Sequence, residues 1–218
     1  MNDYFLGVDK TMRKSILKKD KSYTFSDYFK LPYPTRDVVA EFGYQFQVQK
    51  LDLPENPGKA LNVEKLKETF YKKLPHVTLN SEAAKREFFI SPLLFELLDY
   101  VEMEIDVEYP VNINERLKGN IDYLIHTSKE IIVIEAKNAD MDKGFTQLAV
   151  ELIAMDHYLE NEAGDILYGV ITIGDVWRFG VLERLTKKII KNIDAFLVPA
   201  QLEKLLGVLL CILEEPRT

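Results

Sequence analysis

The 218-residue chain is 47% hydrophobic and 29% charged, with 35 acidic against 28 basic residues and a net charge of −7. That balance fits one well-packed domain and argues against a surface that is basic throughout. Cys211 is the single cysteine, which excludes an internal disulfide framework, and His76, His126 and His157 have no zinc-like spacing with it. No window offers the roughly 20 apolar residues of a membrane span, and "MNDYFLGVDKTMRKS" does not read as a signal peptide, so a reducing, cytoplasmic setting is expected.

Residues 1–23 read as a polar arm carrying the basic run "KTMRKSILKKDK" (10–21). From Thr24 to Pro54, prolines punctuate short helical pieces in an aromatic-rich stretch that ends in a strand predicted over Tyr44 to Leu51. "PENPGKA" (54–60) is a loop, and residues 62–74 fit a short helix stopped by Pro75. The chain thus divides into an N-terminal accessory region, 1–75, and a main domain, 76–218. The main domain opens with a helix capped by Ser81 and kinked or restarted at Pro92.

"MEIDVEYPVNI", "NIDYLIHT" and "EIIVIEAK" then read as strands, and "DMDKGFTQLAVELIAMDHYLE" as a helix with one apolar face. "LYGVITI" and "VWRFGVLE" are strands joined at Gly174 and Asp175. The basic run "RLTKKIIK" near residue 184 reads as solvated surface. "PAQLEKLLGVLLCILEE" closes the chain as an apolar helix with Leu202, Leu205, Leu206, Leu209 and Leu213 along one side. Core is its simpler role and a homodimer interface its sharper one. The order of elements gives an α/β fold around a central mixed sheet.

The chemistry gathers in the second and third strands of the main domain. A two-residue turn at Ser128 and Lys129 pairs residues whose numbers sum to 257, which sets Asp122 opposite Glu135 with Cβ atoms about 4.5 to 5.5 Å apart. Lys137 falls on the same face. An opposed acid pair in a buried strand requires protonation, a counter-charge or a metal ion, and paired anionic oxygens suit Mg²⁺ or Mn²⁺. Such an ion activates water and neutralises phosphate charge, so the pattern points to metal-assisted phosphodiester hydrolysis. The plainer reading of the same residues is a solvated Asp122 at a sheet edge and a Lys137 that neutralises Glu135. His126 shares the Asp122 face, as an extra ligand or, more simply, as a partner of nearby carboxylates. Trp177 beside Arg178 is either packed or a stacking platform for a base.

An acid in one strand followed by Glu-x-Lys at the end of the next resembles the PD-(D/E)XK nuclease superfamily, with "GNID" standing in the Pro-Asp half. "NSEAAKREFFISPLL", Gln147 in "FTQLAVEL", and "YGVITIGDVWRFGVLE" are similar to segments of the N-terminal nuclease domains of type I restriction enzyme motor subunits, over roughly residues 80–185. The resemblance implies a restriction-endonuclease-like αβββαβ core. It also implies Mg²⁺ or Mn²⁺ on Asp122, Glu135 and the Ala136 carbonyl, with Lys137 positioning the attacking water. Gln147 would support the site, with Glu151 one turn further along its helix, and Glu82 is the early glutamate, Glu87 and Glu96 being weaker matches. DNA is the implied substrate, and a restriction, defence or mobile-element system the implied context. The alternative is an inactive module of the same fold that serves as a nucleic-acid or protein-binding scaffold, which the acidic net charge favours. NTPase, serine-hydrolase and zinc-enzyme motifs are missing from the sequence.

Overall fold

A computed structural model describes residues 15–18, 20–55, 60–128, 130–159 and 164–214. Helices α1 (Phe25–Phe29) and α2 (Thr35–Ala40) lead into strand β1 (Gln45–Gln49). Helix α3 (Glu64–Lys73) tightens into a 3-10 turn at Leu74–His76, where Pro75 has no N–H with which to continue an α-helix. Ser81 Oγ accepts the Ala84 N–H at 3.1 Å and starts α4 (Glu82–Lys85). A π-helical turn, Arg86–Ile90, joins α4 to α5 (Ser91–Leu97). The hydrogen-bond register shifts there: Ser91 N–H donates to Arg86 O, five residues back, just before Pro92, which has no N–H to donate.

Strands β2 (Glu104–Asn114), β3 (Leu117–His126) and β4 (Ile131–Ala136) form an antiparallel meander. Helix α6 (Met141–Leu159) crosses over to β5 (Ile166–Thr172), which lies parallel to β4. Strands β6 (Val176–Glu183) and β7 (Lys188–Asn192) continue antiparallel, and the short β8 (Phe196–Leu197) pairs with the start of β6. The sheet order is β1-β7-β6-β5-β4-β3-β2, with β1 parallel to β7. Strand β1, from the region expected to be accessory, thus joins the same sheet as the strands that follow residue 75. Pro110 is tolerated because β2 is an edge strand.

Helices cover both faces of the sheet. Buried residues of α3, α5 and α7 (Leu202–Glu214) pack with Ile132, Ile134 and Val170 on one side. Those of α1, α2 and α6 pack with Val133, Leu124 and Ile171 on the other. A strand enclosed on both faces reads as a continuous apolar run, which accounts for Ile131 to Ile134. The result is a three-layer α/β fold with a mixed eight-stranded sheet. Among the described residues no helix is long and apolar enough to cross a membrane.

Two expectations change, and two open readings settle on the simpler, packed alternative. The run near residue 184 is not simply solvated surface: it contains β7, whose Ile189 and Ile190 are buried. Leu17 and Tyr23, assigned to a polar arm, are buried in the α6-side core, while residues 10–14 and 19 of the first basic run lie outside the described residues. Trp177 is fully buried, with its indole N–H donating to Gly174 O at 2.7 Å, so it offers no stacking platform. The leucine stripe of α7 is buried inside this chain, leaving any dimer to use another surface.

Candidate functional site

The register of the β3–β4 hairpin places the site. Tyr123 pairs with Ile134 and His126 with Ile131, each pair summing to 257. Thr127 N–H donates to Glu130 O at 2.9 Å and closes the hairpin; Lys129 of the expected turn lies outside the described residues. The backbone ladder stops one step before Asp122 and Glu135. There the Asp122 side chain replaces the backbone partner, its Oδ2 accepting the Ala136 N–H at 2.8 Å. Beyond that point β4 stays tied to β5, because Lys137 N–H donates to Thr172 O at 2.8 Å. Asp122 and Glu135 thus come together at the mouth of a splaying strand pair, beneath the start of α6.

Glu135 is completely buried, and the Lys137 ammonium contacts its Oε1. Burial, then Glu151 and Asp122, hold the Glu135 carboxyl well above the usual range, with Lys137 opposing them. Burial also raises Asp122, against the Ala136 N–H, Lys137 and Arg86. Lys137 is itself raised: burial works against its charge, but the Glu135, Asp122 and Glu82 carboxylates outweigh it.

Helix α6 closes the back of the site. Gln147 Nε2 donates to Glu151 Oε1 at 2.9 Å, a pairing that their i,i+4 spacing on one helix face allows. Glu151 is fully buried, and that burial pushes its carboxyl up to about 7. Gly144 is what lets the helix approach so closely, since a Cβ there would stand 2.6 Å from Ile171 Cδ1 and 3.0 Å from Lys137 Cγ. From the N-terminal region, the Phe29 ring of α1 lies 5.5 Å from the Lys137 ammonium.

Glu82 begins α4 close enough to act on Lys137; of the weaker matches, Glu87 is exposed on the cleft that Glu82 and Arg86 line, and Glu96 sits by Asp99 and Lys65. His126 is the partner of carboxylates rather than a member of the site, its Nε2 lying 3.1 Å from Asp106 and 3.6 Å from Glu104.

Two residues at the site escape sequence patterning. Arg86 Nη1 reaches Glu108 Oε1 at 2.6 Å and Asp122 Oδ1 at 3.5 Å, and its guanidinium lies 5.0 Å from the Tyr123 ring centre. Glu108 has φ +56° and falls at the gap between the pairs Val107–Tyr123 and Tyr109–Ile121, directly across from Asp122. Both strands change faces at this point: Ile105 and its partner Ile125 pack on one side of the sheet, Tyr109 and its partner Ile121 on the other. The i,i+4 spacing of Glu82 and Arg86 was a usable signal for the arginine. A left-handed glutamate inside a strand leaves none.

Asp122, Glu135 and Glu151, with Glu82 and Glu108 at the edge, outnumber the cations Lys137 and Arg86, and that excess together with burial favours a proton held between Glu135 and Glu151. Glu135 Oε2, Glu151 Oε2 and Gln147 Oε1 are buried and meet no hydrogen-bond donor. Such orphaned oxygens fit a hard cation in place of that proton. Among the described residues no group of three histidine, cysteine or carboxylate side chains has metal-ligand spacing. Mg²⁺, which keeps several waters and takes only one or two carboxylates, is compatible with the pair Asp122 and Glu135. No family model, curated protein or solved structure matches the chain.

Proposed function

We propose that the protein is a Mg²⁺- or Mn²⁺-dependent endonuclease that hydrolyses phosphodiester bonds in DNA, built on a restriction-endonuclease-like αβββαβ core. The observation that supports this reading is the meeting of Asp122, Glu135 and Lys137 at one strand end, with buried carboxylate oxygens lacking any donor. Asp122 and Glu135, with the Ala136 carbonyl, would hold the cation. Bound there, the ion supplies an activated water and neutralises charge on the phosphate. Lys137, whose ammonium lies against Glu135, would orient the attacking water. Gln147 would hold Glu151 behind the Glu135 carboxylate, and Glu82 would keep Lys137 charged.

A second reading, an inactive scaffold of the same fold, draws support from the contact between Glu135 and Lys137, which satisfies the acid without a metal. Calorimetric titration with Mn²⁺ separates the two. The nuclease reading expects binding by the wild type that is lost in Glu135→Gln, and the scaffold reading expects no binding heat from either.

A further inference from the structure

We propose that Arg86 grips a phosphate of the DNA strand beside the Asp122–Glu135 centre, and that Glu108 is the resting partner which this phosphate displaces. The inference rests on the nuclease reading and adds a substrate contact to it.

Arg86 lines an open cleft of about 620 Å³ together with Ser81, Glu82, Ala83, Glu87 and Ser91, and on its other side Nη1 reaches Asp122. Its guanidinium is held from the buried side: the plane lies over the Tyr123 ring, and Nε donates to Tyr123 Oη at 3.4 Å. Nη1 is shared between Glu108 and Asp122, and among the described residues nothing accepts from Nη2. The fork is therefore preset in orientation with one arm free, the geometry in which arginine takes a phosphate through two parallel hydrogen bonds.

Glu108 has the properties of a displaceable partner. Its side chain is 50% exposed, against 19% for Arg86, so it can swing into water at little cost. Exchanging its carboxylate for a phosphodiester leaves the charge around the guanidinium unchanged. Two costly irregularities meet at this one ion pair: the π turn that begins at Arg86 and the left-handed backbone of Glu108. A half-exposed salt bridge adds too little stability to justify both, and such distortions concentrate where a protein binds or reacts. Both lie beside Asp122, which Arg86 Nη1 reaches at 3.5 Å and which stands across from Glu108.

The test is fluorescence anisotropy of a labelled duplex oligonucleotide, with Ca²⁺ in place of Mg²⁺ to hold off cleavage, for wild type, Arg86→Gln, Arg86→Lys and Glu108→Gln. Arg86→Gln is expected to weaken binding about tenfold and to flatten the slope of log affinity against log salt by about one. Arg86→Lys should fall in between. Glu108→Gln removes the competitor and should tighten binding about threefold. Opposite signs for the Arg86 and Glu108 variants support the proposal. Weakening by both would make the pair purely structural, and unchanged binding by Arg86→Gln would remove the contact; either result overturns the proposal while leaving the metal centre intact. A wild type that binds no DNA would overturn the nuclease reading and this one together.

Discussion

Asp122 accepts the Ala136 N–H at 2.8 Å where β3 and β4 cease to pair as backbones, so one carboxylate both closes the ladder and faces the Arg86 guanidinium. Substitution separates these roles. Asp122→Asn keeps an oxygen for the Ala136 N–H and loses only the charge; Asp122→Ala leaves a buried N–H without a partner. In urea unfolding the asparagine variant is expected within about 1 kcal/mol of wild type, and the alanine variant about 2 kcal/mol below it. Both should lose metal-dependent cleavage. Equal stability of the two variants would remove the capping role.

Stability should depend on pH through Glu151. Its folded carboxyl is pushed up to about 7 from an ordinary 4.5, chiefly by burial. Between those values the folded chain keeps a proton that the unfolded chain has released, so stability falls as pH rises through this window. Glu135 is displaced in the same direction and adds to the fall. Glu151→Gln, which cannot ionise, should flatten the profile and raise stability by about 2 to 3 kcal/mol at about pH 8. Thermal melts across the window check this, and a wild-type profile that rises with pH there would contradict it. Over the same window metal affinity of the wild type should increase, because the ion must replace the shared proton.

Lys137 is the cation in contact with Glu135, and the pair lies in a buried setting. Removing one member of a buried pair strands the other, so Lys137→Met should cost about 3 kcal/mol, whereas Lys137→Met combined with Glu135→Gln should return to within about 1 kcal/mol of wild type. Denaturant titrations of the four proteins form a double-mutant cycle. Simple addition of the two single effects would mean that the residues are not coupled.

Two glycines separate packing from chemistry. A Cβ at Gly180 would stand 2.6 Å from Phe145 Cζ and 3.2 Å from Ile190 O, away from the centre, whereas one at Gly144 would press on Ile171 and Lys137. Both alanine variants should lose about 1 to 3 kcal/mol. Only Gly144→Ala moves the lysine, so only it should slow cleavage further when activities are compared well below the melting temperature.

Much of this arrangement was legible in the sequence. The apolar run before Glu135 marked β4, and a two-residue turn at Ser128 and Lys129 set the hairpin register from which Asp122 followed by arithmetic. Gln147 was legible only through the resemblance, and Glu151 followed from it because a regular helix places residues four apart on one face. What escaped depends on distant contacts or local exceptions. In β7 the lysines mark the segment as surface, yet Lys191 reaches out to pair with Asp142 while Ile189 and Ile190 turn inward. Leu17, Tyr23 and Phe29 carry no local mark of the sheet and helix they cover. Glu108 breaks the strand period with a left-handed backbone that no neighbouring glycine or asparagine announces.

The most direct measurement is cleavage of supercoiled plasmid in Mg²⁺ or Mn²⁺ by wild type, Glu135→Gln and Lys137→Met purified in parallel. The account predicts nicking or linearisation by the wild type that chelation stops, and activity at least about 100-fold lower in each variant. Intact plasmid with wild type in both metals, or equal cutting by all three proteins, would contradict it.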